Sequence, residues 1–100
     1  FVFIPVVQEP ALATHGARAS VWQRDGEALL LVANLRDRPE DVRVIPQAVV
    51  TEAIAGGDVE VTIGDEEPMV ADEERWMRLL RDVEIPAEDF VLIHLRRLND

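Results

Sequence analysis

Short apolar stretches of strand length recur along the chain, separated by glycine, proline, asparagine and aspartate. Several of them alternate apolar with polar residues, the period-two pattern of a strand with one face in a core. Residues 28–34 are apolar at almost every position, which predicts a central strand covered on both faces. Turn signals between such stretches are typical of a mostly-β antiparallel fold. The predicted strands cover residues 1–7, 17–23, 28–34, 42–46, 58–63, 83–85 and 90–96.

A hairpin is predicted where Asp25-Gly26 separates two of these stretches. Both residue types tolerate a positive φ, so the pattern favours a type I′ turn. Residues 42–46 follow after a short polar link and are predicted to extend the hairpin into a three-stranded meander. Within 1–7, Pro5 indicates an edge strand or a bent one.

One helix is predicted over residues 72–82. Asp72 is a suitable N-cap, acids follow it in the first turn, and arginines occupy the last turn, as the helix dipole favours. The spacing i, i+3, i+4, i+7 places a set of large apolar side chains on one face. This predicted core face consists of Trp76, Leu79, Leu80 and Val83.

Residues 47–55 fit two descriptions. Val49, Val50 and Ile54 have helical spacing and Gly56 suits a helix end, whereas the Val-Val-Thr run favours β structure. We favour a strand or an irregular segment here, with a helix as the open alternative. The predicted fold is therefore an antiparallel β-sandwich with one short helix; the alternative is α+β, with one antiparallel sheet and two helices.

Composition places the whole chain, residues 1–100, in a single domain. Because the chain begins with an apolar segment at Phe1 rather than with Met, we expect it to be excised from, or C-terminal to, a longer chain. It has no cysteine, which removes disulfides and thiolate chemistry. The net charge of −10 argues against binding to nucleic acid or to an anionic membrane. No compartment is indicated by a signal; the cytoplasm is favoured.

The negative charge is concentrated in the second half of the chain. Between Asp58 and Glu74 there are eight acids and no base. Such a run is typical of a solvated face. The more specific alternative is a docking surface for a basic partner. The predicted acidic surface consists of Asp58, Glu60, Asp65, Glu66, Glu67, Asp72, Glu73 and Glu74.

Residues with reactive chemistry are few. Ser20 is the only serine and lies in no nucleophile-elbow motif, and His15 and His94 are far apart in sequence. We therefore predict no catalytic residue, no metal site and no cofactor. Trp22 points away from the apolar side of its strand, so it is a candidate contact for sugar or for a partner, together with the loop residue His15.

The segment 25–39 carries a partial family resemblance. It is an apolar strand that ends in Asn34 and runs into a polar turn, and residues 83–86 later lead through Pro86 into the closing strand 90–95. This order resembles the C-terminal β-domains of α-amylase-type TIM-barrel glycoside hydrolases, although the helix at 72–82 replaces a short turn. The resemblance implies a role in packing on the catalytic domain of the parent chain, with possible carbohydrate contact and with the catalytic acids outside this segment.

Three functions follow from these patterns. We expect a non-catalytic accessory domain of a larger carbohydrate-active enzyme, which predicts an exposed apolar patch where the domain docks. The alternative is a free-standing acidic interaction or assembly module. A small hydrolase that uses His15 or His94 ranks third, since it requires a histidine near an acid or Ser20 in a concave pocket.

Overall fold

The computed structural model describes residues 2–4 and 11–98. This part of the chain is mostly β, with antiparallel pairing throughout, and it contains two short helices, so the predicted fold class is confirmed. Neither helix is long and apolar enough to cross a membrane. The elements are β1 Val2–Ile4, β2 Ala11–Ala13, β3 Arg18–Arg24, β4 Glu27–Ala33, β5 Glu40–Val42, β6 Val44–Pro46, α1 Ala48–Ala53, β7 Val59–Ile63, β8 Met69–Ala71, α2 Glu73–Leu79, β9 Val83–Ile85 and β10 Phe90–Arg97.

A six-stranded antiparallel sheet forms one layer, in the order β1-β3-β4-β10-β7-β8. Its centre is the β4–β10 pair, in which seven consecutive residues of each strand face one another. The second layer contains the two helices and two small sheets, β2 with β6 and β5 with β9. The predicted strand at 1–7 is described only at β1; its other residues lie outside the described part of the chain.

The core lies between the two layers. Val21, Leu30 and Ile93 of the sheet are fully buried in one cluster with Trp76 and Leu80 of the α2 segment. The predicted core face of this helix is therefore confirmed at these positions. Asp72 caps α2 as predicted, because its side chain accepts a hydrogen bond of 2.9 Å from the backbone N–H of Arg75.

The segment 47–55 contains helix α1, so the favoured strand or irregular segment is wrong there. Val50 and Ile54 are fully buried and four residues apart. In a strand, Glu52 would share the buried face with them, whereas the helix leaves Glu52 exposed, and this arrangement outweighs the local β preference of Val-Val-Thr.

The predicted three-stranded meander is also wrong. Residues 42–46 divide at Arg43 into β5 and β6, which pair with β9 and β2. The position beside β4 is taken by β10, the longer strand.

The hairpin at Asp25-Gly26 is confirmed, but its type I′ turn is not, because Gly26 alone of the two adopts a positive φ, of 80°. The backbone of Gly26 also makes two long-range hydrogen bonds. Its N–H donates to the carbonyl of Ala53 at 2.8 Å, and its carbonyl accepts from Arg97 at 2.7 Å. A type I′ turn does occur at the β2–β3 link, where His15 and Gly16 have φ of 57° and 73°.

Candidate functional site

The outward surface of the six-stranded sheet carries four of the ten large apolar side chains that are exposed in the described chain. In antiparallel pairs, directly opposed residues share a face, so the strand registers define this surface residue by residue. We call it the open face. It consists of Phe3, Arg18, Ser20, Trp22, Arg24, Glu27, Leu29, Leu31, Ala33, Glu60, Thr62, Val70, Phe90, Leu92, His94 and Arg96.

The open face is apolar yet accessible. Phe90 is 59% exposed, Phe3 46% and Leu92 45%, while Leu29 and Leu31 of the central strand β4 are half-buried. The prediction that this strand is covered on both faces is therefore wrong. Its inward residues are buried by the second layer, whereas its outward residues remain accessible to solvent.

Trp22 lies on the open face, as the alternation along its strand predicts. Its ring lies beside that of Phe3, with centroids 5.2 Å apart and planes inclined by 48°. Leu29 faces Trp22 on the next strand. The two rings and this leucine form a continuous apolar ridge that ends at the edge strand β1.

A row of charged residues crosses the open face at one end of the sheet. Glu27 accepts hydrogen bonds from Arg24 at 2.6 Å and from His94 Nε2 at 2.8 Å. On the other side of the row, Arg96 donates to Glu60 at 3.1 Å. The hydrogen bonds from Arg24 and His94, in that order, lower the pKa of the Glu27 carboxyl below its ordinary value. This row balances its own charges, so it adds polarity to the open face without adding net charge.

The face as a whole differs in charge from the rest of the protein. It holds three arginines and two glutamates, a net charge of +1 with neutral histidine, whereas the complete chain carries −10. An approaching protein surface therefore meets apolar side chains and balanced charges here, and acids on other sides.

The His94–Glu27 pair is the closest approach to a catalytic arrangement. It lies on the flat open face, and the cavities described in the structure are lined by other residues. Ser20 is separated from His94 by strand β4, about 12 Å away across two strand spacings and two residues along the strand. A histidine and an acid are thus brought together, but Ser20 is not.

His15 lies apart from Trp22. It occupies the β2–β3 turn, where its Nδ1 is 2.9 Å from the carbonyl of Asp41 and 3.9 Å from the carboxylate of Glu40. The hydrogen bond from Arg38 lowers the pKa of Glu40. His15 therefore contacts the second layer, and the two residues named together as sugar or partner contacts belong to different surfaces.

The predicted acidic surface is divided in the same way. Glu60 joins the charged row of the open face, Asp72 caps α2, and Glu74 pairs with Arg78 at 3.1 Å. Asp58, Glu67 and Glu73 are exposed. Asp65 and Glu66 line a cavity of about 350 Å³ with two acids that sequence reasoning missed, Asp82 and Glu84.

Within the described residues, no group of three or more histidine, aspartate or glutamate side chains is placed to hold a metal ion. Comparisons with family models, with curated proteins and with solved structures find no match to this chain. The resemblance to the C-terminal domains of α-amylase-type enzymes therefore stays a prediction.

Proposed function

We propose that this domain is a non-catalytic accessory module that packs through its open face on the catalytic domain of a carbohydrate-active enzyme. The observation that supports this role is the exposed apolar face itself. A monomeric protein rarely leaves large neighbouring apolar side chains accessible, and where it does, the patch is commonly a binding surface.

The dimensions of the open face suit such a contact. Six strands spaced about 4.8 Å apart, and seven residues rising about 3.4 Å each, span roughly 24 × 20 Å. Counted on both partners, this is roughly 1,000 Å², within the range of interfaces between domains of one chain.

Charge also favours this face over others. A protein with a net charge of −10 repels an acidic partner, and the repulsion is weakest where the local charge is balanced. The ion pairs of the charged row remain at the edge of the contact, where they are expected to set orientation rather than affinity.

Fluorine NMR of the domain labelled with 5-fluorotryptophan tests the proposal, because it gives one signal from the open face and one from the core. Trp22 lies on the open face, and Trp76 is 1% exposed. The unlabelled partner is the catalytic domain expected from the coding sequence that flanks this segment. We expect its addition to shift the Trp22 signal and leave the Trp76 signal in place.

Two variants test whether the contact is made by the open face. Leu92→Asp places a charge in the middle of the open face and should abolish the shift, whereas Val49→Asp, on the exposed side of α1, should leave it unchanged. The proposal fails if the two variants act alike, or if the flanking sequence encodes no glycoside hydrolase. Titration with a malto-oligosaccharide tests the sugar contact, which is refuted if the Trp22 signal does not move.

A second candidate is an acidic interaction module for a basic partner. It is favoured by the cavity that Asp65, Glu66, Asp82 and Glu84 line, since none of these carboxylates has an ion pair within the described chain. Binding of an arginine-rich peptide that weakens steeply with salt, and that Asp82→Asn reduces, would support it. Binding indifferent to salt would refute it.

A further inference from the structure

A separate cavity in the second layer brings two arginines together. It measures about 220 Å³ and lies between β6 and the C-terminal end of α2. Its floor is apolar, and the two charged side chains among its described lining residues are both basic. The lining residues are Arg43, Val44, Ile45, Pro46, Met77 and Arg81.

Backbone hydrogen bonds fix the origins of both arginine side chains. The N–H of Val44 donates to the carbonyl of Leu80 at 2.7 Å, so Arg43 and Arg81 flank a direct contact between the two segments. Arg43 is held further by Thr14, whose Oγ1 accepts from its N–H at 2.9 Å and whose N–H donates to its carbonyl at 3.2 Å. The backbone positions from which the two arginine side chains extend are thus fixed beside one cavity.

Among the described residues, no acidic side chain pairs with either guanidinium. The described ion pairs and hydrogen bonds use the side chains of other arginines, such as Arg24, Arg38 and Arg96, and none involves that of Arg43 or Arg81. Arg18 and Arg75 likewise have no described side-chain partner, but Arg43 and Arg81 lie beside the same cavity. Two like charges beside one cavity are relieved by an anion placed between them.

We infer that this cavity binds a small monocarboxylate with an apolar body. The planar guanidinium matches a carboxylate with two parallel hydrogen bonds. The apolar floor requires a ligand that is more than a bare anion, and the volume, below that of most drug-sized pockets, requires a small one. The net charge of −10 favours a single negative charge over the two of phosphate.

The probe is 3-phenylpropionate, followed by NMR of protein labelled at the methionine methyl carbons. Met77 lines the cavity, whereas Met69 lies on β8 at the edge of the large sheet and serves as an internal reference. We expect a saturable shift of the Met77 methyl alone. The neutral 3-phenylpropionamide should bind at least about tenfold more weakly, because it lacks the charge-assisted hydrogen bonds of the carboxylate. Inorganic phosphate should also bind at least about tenfold more weakly, because it has no apolar part to contact the floor and brings a second negative charge to an acidic protein.

The test variant is Arg43→Gln with Arg81→Gln, and the matched control is Arg18→Gln with Arg75→Gln. All four side chains are exposed, and both double variants change the net charge equally. We expect the first to weaken carboxylate binding at least about tenfold and the second less than twofold. Arg43→Lys with Arg81→Lys keeps the charge but removes the two parallel N–H donors of each guanidinium, so it should weaken binding to an intermediate degree.

Several outcomes would overturn the inference. An equal loss of carboxylate affinity in the two glutamine double variants would mean that the net charge, and not this pair of arginines, attracts the carboxylate. Equal affinity for the amide and the carboxylate would mean that apolar contact alone holds the ligand. Tighter binding of phosphate, or no shift of Met77, would also refute it. The Trp22 signal of the open face should be unaffected throughout, so this site and the proposed docking role can fail independently.

Discussion

Replacing Asn34 should destabilise the protein more than any other single polar substitution in the described chain. Asn34 is 1% exposed and is the one polar side chain in the buried set. The two hydrogens of its Nδ2 are shared among the carbonyls of Arg38, Ile85 and Pro86 at 2.9, 3.1 and 3.1 Å, and its Oδ1 accepts from the N–H of Arg36 at 3.0 Å. One amide therefore ties the end of β4 to the end of β9.

The cost of Asn34→Ala can be worked from these four contacts. A hydrogen bond contributes about 0.5–1.5 kcal/mol net, and a buried group left without a partner costs about 1–3 kcal/mol. Only the contact with the Ile85 carbonyl is fully buried; the others are partly accessible, so water can replace the amide there. We expect a loss of about 2–4 kcal/mol in the free energy of unfolding, a large share of the roughly 5–15 kcal/mol typical of a domain.

Urea unfolding followed by tryptophan fluorescence measures this loss, and Asn34→Asp provides a second test. An ionised aspartate cannot donate to three carbonyls, so at neutral pH this variant should be less stable than Asn34→Ala. Its stability relative to Asn34→Ala should rise as the pH falls, because the protonated acid can donate one hydrogen bond. A loss below about 1 kcal/mol for Asn34→Ala, with Asn34→Asp parallel to it at every pH, would refute the reasoning.

Three further substitutions test other contacts. Gly26→Ala should cost about 1–2 kcal/mol by thermal unfolding, since φ is 80° and the new Cβ would lie 3.2 Å from the Arg97 guanidinium; no loss would contradict this. Asp72→Ala should cost about 1 kcal/mol and reduce helical circular dichroism, and an unchanged spectrum would argue against the cap. Glu27→Gln should destabilise the protein at neutral pH. It should not do so below the lowered pKa of Glu27, because the wild-type carboxyl is then protonated as well. A difference in stability between variant and wild type that stays constant over this pH range would be inconsistent with the hydrogen bonds from Arg24 and His94.

Local structure was largely predictable from the sequence. The hairpin at Asp25-Gly26, helix α2 with its Asp72 cap and the burial of Trp76 all depend on neighbouring residues, and all three are present. The alternation along β3 also correctly placed Trp22 opposite the buried side of the strand. These features need only short-range patterns, which a single sequence contains.

Long-range pairing was not predictable in the same way. Nothing near residues 42–46 indicates that β10, at the other end of the chain, takes the place beside β4. Helix α1 was missed because its two buried residues are explained only by the sheet that they contact. The Arg43–Arg81 cavity depends on the same kind of information, since one backbone hydrogen bond between distant segments brings the arginines together.

The apolar residues of β4 fit two explanations, burial in the core of this domain or burial against a partner. A strand with leucine on both faces predicts cover on both, and the structure supplies cover on one. If a partner covers the outer face, the apolar pattern correctly indicates burial of both faces in the complex. A charged substitution at Leu29 or Leu31 should then destabilise the complex as strongly as one at Leu30 destabilises the isolated domain. Because Leu30 is already fully buried, Leu30→Asp should unfold the domain, whereas Leu31→Asp should leave it folded and weaken only the complex. Unfolding of the isolated domain by both substitutions would mean that the outer leucines serve this domain alone.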